Sequence, residues 1–155
     1  MNPAHLHLML NHFPVVGLVF ALAFLGWGVV RRNPSLMKIS FAVLVAVALL
    51  AIPAFLTGEP AEKVAEGLPG VSDPIIEQHE KAAKVALVVT LVTGAAALAG
   101  LWLYRGKAVA SWCMTSVLLL ALVAAGLMAW TANLGGKVRH TEIRGPTSPA
   151  SAHED

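Results

Sequence analysis

Charged side chains are scarce in this chain: they make up 13% of its 155 residues, whereas hydrophobic residues make up 57%. Soluble globular domains carry about 25% charged residues. A chain this apolar has to bury its surface in lipid, so the composition predicts an integral membrane protein with the bilayer as its main partner. The formal net charge is only +2 and basic residues form no run, which excludes a nucleic-acid partner.

Residues and motifs typical of enzymes are also missing. The only cysteine, Cys113, excludes an internal disulfide, and there is neither a Cys-x-x-Cys pair nor a Gly-rich phosphate loop. The hydroxyls of Ser111 and Ser116 lie in apolar segments, where they mostly bond back to the backbone. No charge falls inside an apolar segment, although proton and ion pathways usually need one there. We therefore predict neither a channel nor a transporter, and no catalytic activity for the chain on its own.

Four long apolar segments dominate the rest of the sequence. Each is long enough, at 1.5 Å per residue, to cross a hydrocarbon core about 30 Å thick as a helix. They predict an all-α, integral membrane four-helix bundle in residues 1–134 and an outward-facing, partly disordered tail in residues 135–155. The predicted spans are residues 13–30, 39–57, 85–104 and 108–134, and an outer loop with a short surface helix occupies residues 58–84.

The connections between these segments differ in charge, which predicts their orientation. The loop between the first two segments and the turn between the last two contain basic but no acidic residues, whereas the central loop is mainly acidic. The positive-inside rule puts the two short basic connections in the cytoplasm. We therefore predict a multi-pass protein of the bacterial inner membrane, with both termini and the acidic loop on the periplasmic side.

Five of the six histidines lie at the outer ends of the predicted helices. Because consecutive spans alternate in direction, all five share one side of the membrane. They are His5, His7 and His12 before the first span, His79 before the third, and His140 after the fourth. His79 also heads a stripe of small residues on its helix, which either lets two helices approach closely or leaves a slot for a flat ligand.

Two histidines on different helices are the usual protein ligands of a low-spin haem iron. We predict a b-type haem with His12 and His79 as axial ligands and with His140 or His7 as a substitute ligand. Lys137 and Arg139 would pair with the propionates. The protein would then be a membrane-embedded redox or electron-transfer protein, with other subunits of a membrane redox complex or a periplasmic electron carrier as partners.

Two alternatives to haem remain open on the sequence alone: a non-haem metal ion, for which there are two candidate sets of ligands, and no cofactor at all. His5 and His12 are seven residues apart on one helix face with Met9 between them, a set that would suit copper. His79 and His140, with Glu77 and Glu80, could likewise hold a non-haem metal ion such as Zn, Cu or Fe. In the second alternative the chain binds no cofactor and is a structural subunit of a membrane complex, to which it docks through its acidic loop.

The segments NHFPVVG, TGEPAE, IIEQHEKAA and GGKVRHTEIRG resemble a group of small four-helix bacterial membrane proteins, and the chain is similar to domain of unknown function 2231. Members of that family open with a His-Pro-x-x-x-His-Phe-Pro pattern and close with a Gly-Gly turn followed by histidine. His7 and His12 keep the spacing, Leu8 replaces the proline, and His140 follows Gly135 at a shorter distance. Some family architectures join the four-helix unit to a Rieske iron–sulfur domain, and the resemblance therefore implies that the membrane part handles electrons.

Overall fold

The computed structural model describes residues 2–66, 68, 70–71 and 73–140, without the side chain of Arg139. This part of the chain is all helical and contains no strand. Four of its helical segments are long and apolar enough to cross a membrane, which confirms the predicted four-span architecture. Of the tail predicted to be partly disordered, residues 135–155, the part from 141 to 155 lies outside the described residues. The helices are α1 (Pro3–Val30), α2 (Pro34–Leu56), α3 (Gly58–Ala65), α4 (Asp73–Leu103) and α5 (Ser111–Arg139).

The first two helices begin with the same N-terminal cap, an asparagine followed by a proline. The side chain of Asn2 accepts a hydrogen bond from the N–H of Ala4 at 2.9 Å, and Pro3 occupies the first helical position. Asn33 and Pro34 repeat this arrangement at the start of α2. A side-chain acceptor satisfies one of the unpaired N–H groups of the first turn, and proline has no N–H to lose there.

Both helices also contain a proline near the end at which the histidines lie. Pro14 lies within α1 and Pro53 within α2, and each removes one backbone hydrogen bond without ending its helix. Thr57 closes α2, and the short helix α3 follows from Gly58. Helix α3 thus lies within residues 58–84, the stretch for which the sequence predicts an outer loop with a short surface helix.

The end of α5 differs from the prediction. The sequence predicts that the last span ends at residue 134, before the Gly-Gly pair at 135–136, but α5 continues to Arg139, and His140 caps it by donating its N–H to the carbonyl of Gly136 at 2.9 Å. The prediction is wrong because glycine weakens a helix by only about 1 kcal/mol relative to alanine, which tertiary contacts can override. Gly135 lies directly against the ring of His79, and this contact needs a residue without a side chain.

The four long helices form a closed ring in the order α1, α2, α4, α5. Each packs on the next and α5 packs back on α1, so α1 and α4 lie on one diagonal of the bundle. The interior is filled by fully buried apolar side chains from every helix, including Leu25, Phe41, Ala97 and Val117. The outer surface is apolar as well: Val19, Leu49, Val88 and Leu119 are 58–64% exposed. A surface of this kind on all sides is suited to lipid.

Two glycines allow close packing between the second half of α4 and α2. A Cβ atom added at Gly94 would overlap that of Ala48 on α2, and one at Gly100 would lie 2.7 Å from the ring of Phe41. Both glycines lie on the buried face of α4 and let the two helices approach closely there. At the other end lie the starts of α1 and α4, the ends of α2 and α5, and helix α3; we call it the α3 end.

Candidate functional site

His7 bridges α1 and the end of α2. Its Nδ1 atom lies 3.0 Å from the carbonyl oxygen of Ala54 and 3.2 Å from the hydroxyl oxygen of Thr57, and its ring is half-buried. Ala54 is one of the last four residues of α2, whose carbonyls have no N–H partner within the helix. The histidine side chain thus satisfies a carbonyl that the helix end leaves open.

His79 makes the equivalent connection between α4 and α5. Its Nδ1 atom lies 3.0 Å from the carbonyl oxygen of Thr131, and its ring is half-buried. The ring lies flat enough against α5 that a Cβ atom at Gly135 would be 3.0 Å from its Cε1 atom and 3.3 Å from its Nδ1 atom. The absence of a side chain at Gly135 therefore leaves space for the His79 ring.

Replacing Gly135 with alanine should displace the His79 ring by a few tenths of an ångström and weaken its bond to Thr131. We expect a loss of about 0.5–1.5 kcal/mol in the free energy of unfolding, the value of one hydrogen bond. Histidine-selective ¹⁵N NMR should show shifted His79 ring signals in Gly135→Ala and unshifted ones in the control Gly126→Ala, where the added methyl group meets nothing within 4 Å. Unshifted His79 signals in Gly135→Ala would contradict the close contact.

The two histidines lie at the same end of the bundle, near the starts of α1 and α4. They come from the diagonal helices α1 and α4, and their imidazoles are near enough to interact electrostatically with one another. Each ring is anchored at Nδ1 to a different neighbouring helix, His7 to α2 and His79 to α5. All four long helices therefore contribute to this arrangement, which we call the histidine pair.

The anchors also determine which nitrogen carries the proton. A backbone carbonyl oxygen only accepts hydrogen bonds, so the Nδ1 atoms of His7 and His79 must be the donors. In a neutral imidazole the Nε2 atom then keeps its lone pair. Among the described residues neither Nε2 atom has a hydrogen-bond partner. Metal-binding histidines have this same arrangement, with Nδ1–H on a backbone carbonyl and Nε2 available to the metal.

His12, the first choice on the sequence, lies elsewhere. Its Nδ1 atom bonds back to the carbonyl of Leu8 one turn earlier, and the side chain is exposed. With Met9 and Phe20 it borders an apolar groove of about 410 Å³ between α1 and α2. His7 and His12 are five residues apart, which separates their side chains by about 140° around the helix. The structure therefore favours His7, the substitute ligand, as the partner of His79.

The remaining predicted ligands and cations lie further along the helices. His5 is exposed near the start of α1, and His140 is exposed where α5 ends, about 7.5 Å along the axis beyond Gly135. Lys137 is partly buried in the last turn of α5, and the side chain of Arg139 lies outside the described residues. The structure thus brings together two of the predicted histidines and leaves the others at the rim.

Glu77 and Glu80, which the sequence predicts as alternative metal ligands, do not lie in a group of described side chains suited to a metal ion. Glu77 and Glu80 form exposed ion pairs with Lys81 and Lys84 one turn later, at 2.6 and 2.8 Å. Over residues 2–66, 68, 70–71 and 73–140, no group of three or more His, Cys, Asp or Glu side chains could hold a metal ion. Glu77 and Glu80 instead line an open hollow of about 310 Å³ together with Glu62, Glu66 and Asp73.

Sequence reasoning missed the groups that hold the two rings. The carbonyls of Ala54 and Thr131 have no signature in the sequence, because any residue supplies a carbonyl. Thr57 was detectable in part: a threonine four residues after Pro53, at the end of an apolar segment, marks a helix end with open carbonyls. The two prolines indicate open carbonyls four residues earlier, at Leu10 and Leu49, whereas the carbonyl of Ala54 is open because α2 ends three residues after Pro53.

The fold and the histidine pair together define a class: a four-helix integral membrane protein with two imidazoles anchored to backbone carbonyls at one end of its bundle. A family model described as "Predicted membrane protein (DUF2231)" matches residues 3–142. The chain belongs to this family, as its resemblance to domain of unknown function 2231 predicts. Comparison with curated proteins and with solved structures finds no match.

Proposed function

We propose that this protein is a membrane-embedded electron-transfer protein whose histidine pair binds a b-type haem, with His7 and His79 as the two axial ligands. The observation that carries the proposal is the common orientation of the two rings. Each Nδ1–H is engaged by a backbone carbonyl, and each Nε2 lone pair is left for a ligand. A haem iron held by two imidazoles exchanges one electron between its ferric and ferrous states.

The donor set fits this group better than it fits a free metal ion. Two neutral imidazoles from opposite helices are what a six-coordinate haem iron requires, since the porphyrin supplies the other four nitrogens. A structural zinc site needs four protein ligands and a catalytic one needs three. The described residues bring together only two such ligands at this point, His7 and His79.

Each residue of the pair has a definite role in the proposal. His7 and His79 would supply the two imidazoles that hold the iron, and their carbonyl partners would keep the rings from turning and raise the basicity of the imidazoles. Lys137 and Arg139, on the last turn of α5, would pair with the propionates, as the sequence predicts. Their position near the α3 end agrees with a haem whose carboxylates point out of the bilayer, toward the periplasm in the predicted orientation.

The test is a visible spectrum of the protein, purified in detergent from cells that make haem, first oxidised and then reduced with dithionite. We expect a Soret band that shifts on reduction and narrow α and β bands, the spectrum of a low-spin bis-histidine haem. A flat spectrum would contradict the proposal. Metal analysis of the same sample then separates the alternatives: a non-haem centre gives stoichiometric metal without a Soret band, and a cofactor-free subunit gives neither.

A further inference from the structure

Thr57 lies at the break between α2 and α3, next to the ring of His7. Its hydroxyl oxygen is 3.0 Å from the carbonyl oxygen of Pro53, 2.9 Å from that of Ala54 and 3.2 Å from Nδ1 of His7. Other threonines have simpler surroundings: the hydroxyl of Thr93 bonds only to the carbonyl of Val89, one turn earlier on its own helix. Thr57 is therefore the one described threonine whose hydroxyl contacts two carbonyls at a helix end and an imidazole.

The hydrogen-bonding roles at this point allow one consistent assignment. A hydroxyl has a single hydrogen to donate and two lone pairs, whereas a carbonyl only accepts. Two carbonyls lie closer to the Thr57 hydroxyl than Nδ1 does, so the hydroxyl hydrogen goes to one of them. An oxygen lone pair then faces His7, and the Nδ1–H is shared between this oxygen and the carbonyl of Ala54.

We propose that Thr57 is a positioning residue that holds His7 in its Nδ1–H tautomer and fixes the plane of its ring, so that Nε2 presents its lone pair to the iron. The part that concerns the iron rests on the proposed function; the part that concerns the tautomer does not. His79 has no such hydroxyl, and the contact with Gly135 restrains its ring instead. Both rings are thus anchored to a carbonyl, and each has a second restraint: a hydroxyl for His7 and the contact with Gly135 for His79.

The first experiment measures the tautomer directly, in the ligand-free protein. Histidine-selective ¹⁵N NMR of wild type, Thr57→Val, Thr57→Ser and Thr93→Val reports which ring nitrogen of His7 is protonated. We expect the Nδ1–H form in wild type, Thr57→Ser and Thr93→Val. In Thr57→Val we expect a mixture of both forms, because a ring that has lost one of its two partners can turn away from the Ala54 carbonyl, which otherwise keeps the proton on Nδ1. Thr93→Val is the matched control, because it exchanges the same groups at a buried hydroxyl that bonds only to its own helix. An unmixed Nδ1–H form in Thr57→Val would overturn the inference.

The second experiment titrates the same four proteins with hemin and follows the Soret band. Loss of an outer hydrogen-bond partner of a metal-bound histidine typically costs 10- to 100-fold in affinity. Since the Ala54 carbonyl remains, we expect about a 10-fold weaker hemin affinity for Thr57→Val, and recovery in Thr57→Ser. If wild type binds no hemin, the proposed function fails while the NMR result still decides the role of Thr57. If wild type binds hemin and Thr57→Val binds it equally, only the positioning role fails.

Discussion

His7→Ala and His79→Ala are each expected to remove the low-spin haem spectrum from the purified protein. Either change deletes one axial ligand, and no other described histidine is close enough to replace it without a helix rearrangement, since His12 and His140 lie on other faces or further along. Losing only an outer partner of a ligand already costs 10- to 100-fold in affinity, so losing the ligand should reduce bound haem by more than about 10-fold. Soret absorbance per mole of purified protein measures the effect.

The same spectrum with His12→Ala decides between the two possible pairs. His12 is exposed and bonds back to Leu8 on its own helix, so this variant should keep its full haem content. Folding is controlled by size-exclusion chromatography and by helical circular dichroism in detergent. Added imidazole should restore a low-spin spectrum to His79→Ala, which a merely misfolded protein would not show. Haem loss in His12→Ala together with retention in His7→Ala would reject the pair proposed here and favour the one predicted from sequence.

Gly94→Val is expected to be among the most destabilising single changes in the bundle. A Cβ atom at this position overlaps that of Ala48 and lies within 3.5 Å of the backbone carbonyl of Leu44, so α2 and α4 would have to separate. Overpacking of a well-packed interior typically costs 1–3 kcal/mol and sometimes more. Backbone atoms cannot turn away as a side chain can, so we expect roughly 3 kcal/mol in the free energy of unfolding, at the upper end of that range.

The matched control is Gly126→Val on α5, where an added Cβ atom meets nothing within 4 Å. This change should be neutral or slightly stabilising, because valine has a higher helix propensity than glycine. Thermal unfolding midpoints of the two variants in the same detergent provide the comparison. If Gly94→Val has the same thermal unfolding midpoint as the wild type, α2 and α4 are further apart than described.

Much of the fold could be predicted from the sequence because it depends on local and one-dimensional properties. The four spans follow from the length and hydrophobicity of each segment, and the start of α1 follows from an asparagine before a proline. Five histidines lie on the same side of the membrane because consecutive spans alternate in direction. The end of α5 could not be predicted in this way, because the contact of Gly135 with a ring 56 positions earlier outweighs the weak helix propensity of glycine.

In the candidate site, too, some features could be predicted from the sequence and others depend on tertiary contacts. The sequence by itself determined that the chain spans a membrane four times and that its histidines gather at one end. Which two of them are half-buried and bonded to neighbouring helices was decided only by tertiary structure, through the rotation of α1 and the diagonal placement of α1 and α4. The physical reason is that helical spacing gives the angle between His7 and His12 but not which of the two faces the bundle interior. Packing settles that direction, and the carbonyls of Ala54 and Thr131, which orient the rings, are backbone groups that no residue type reveals.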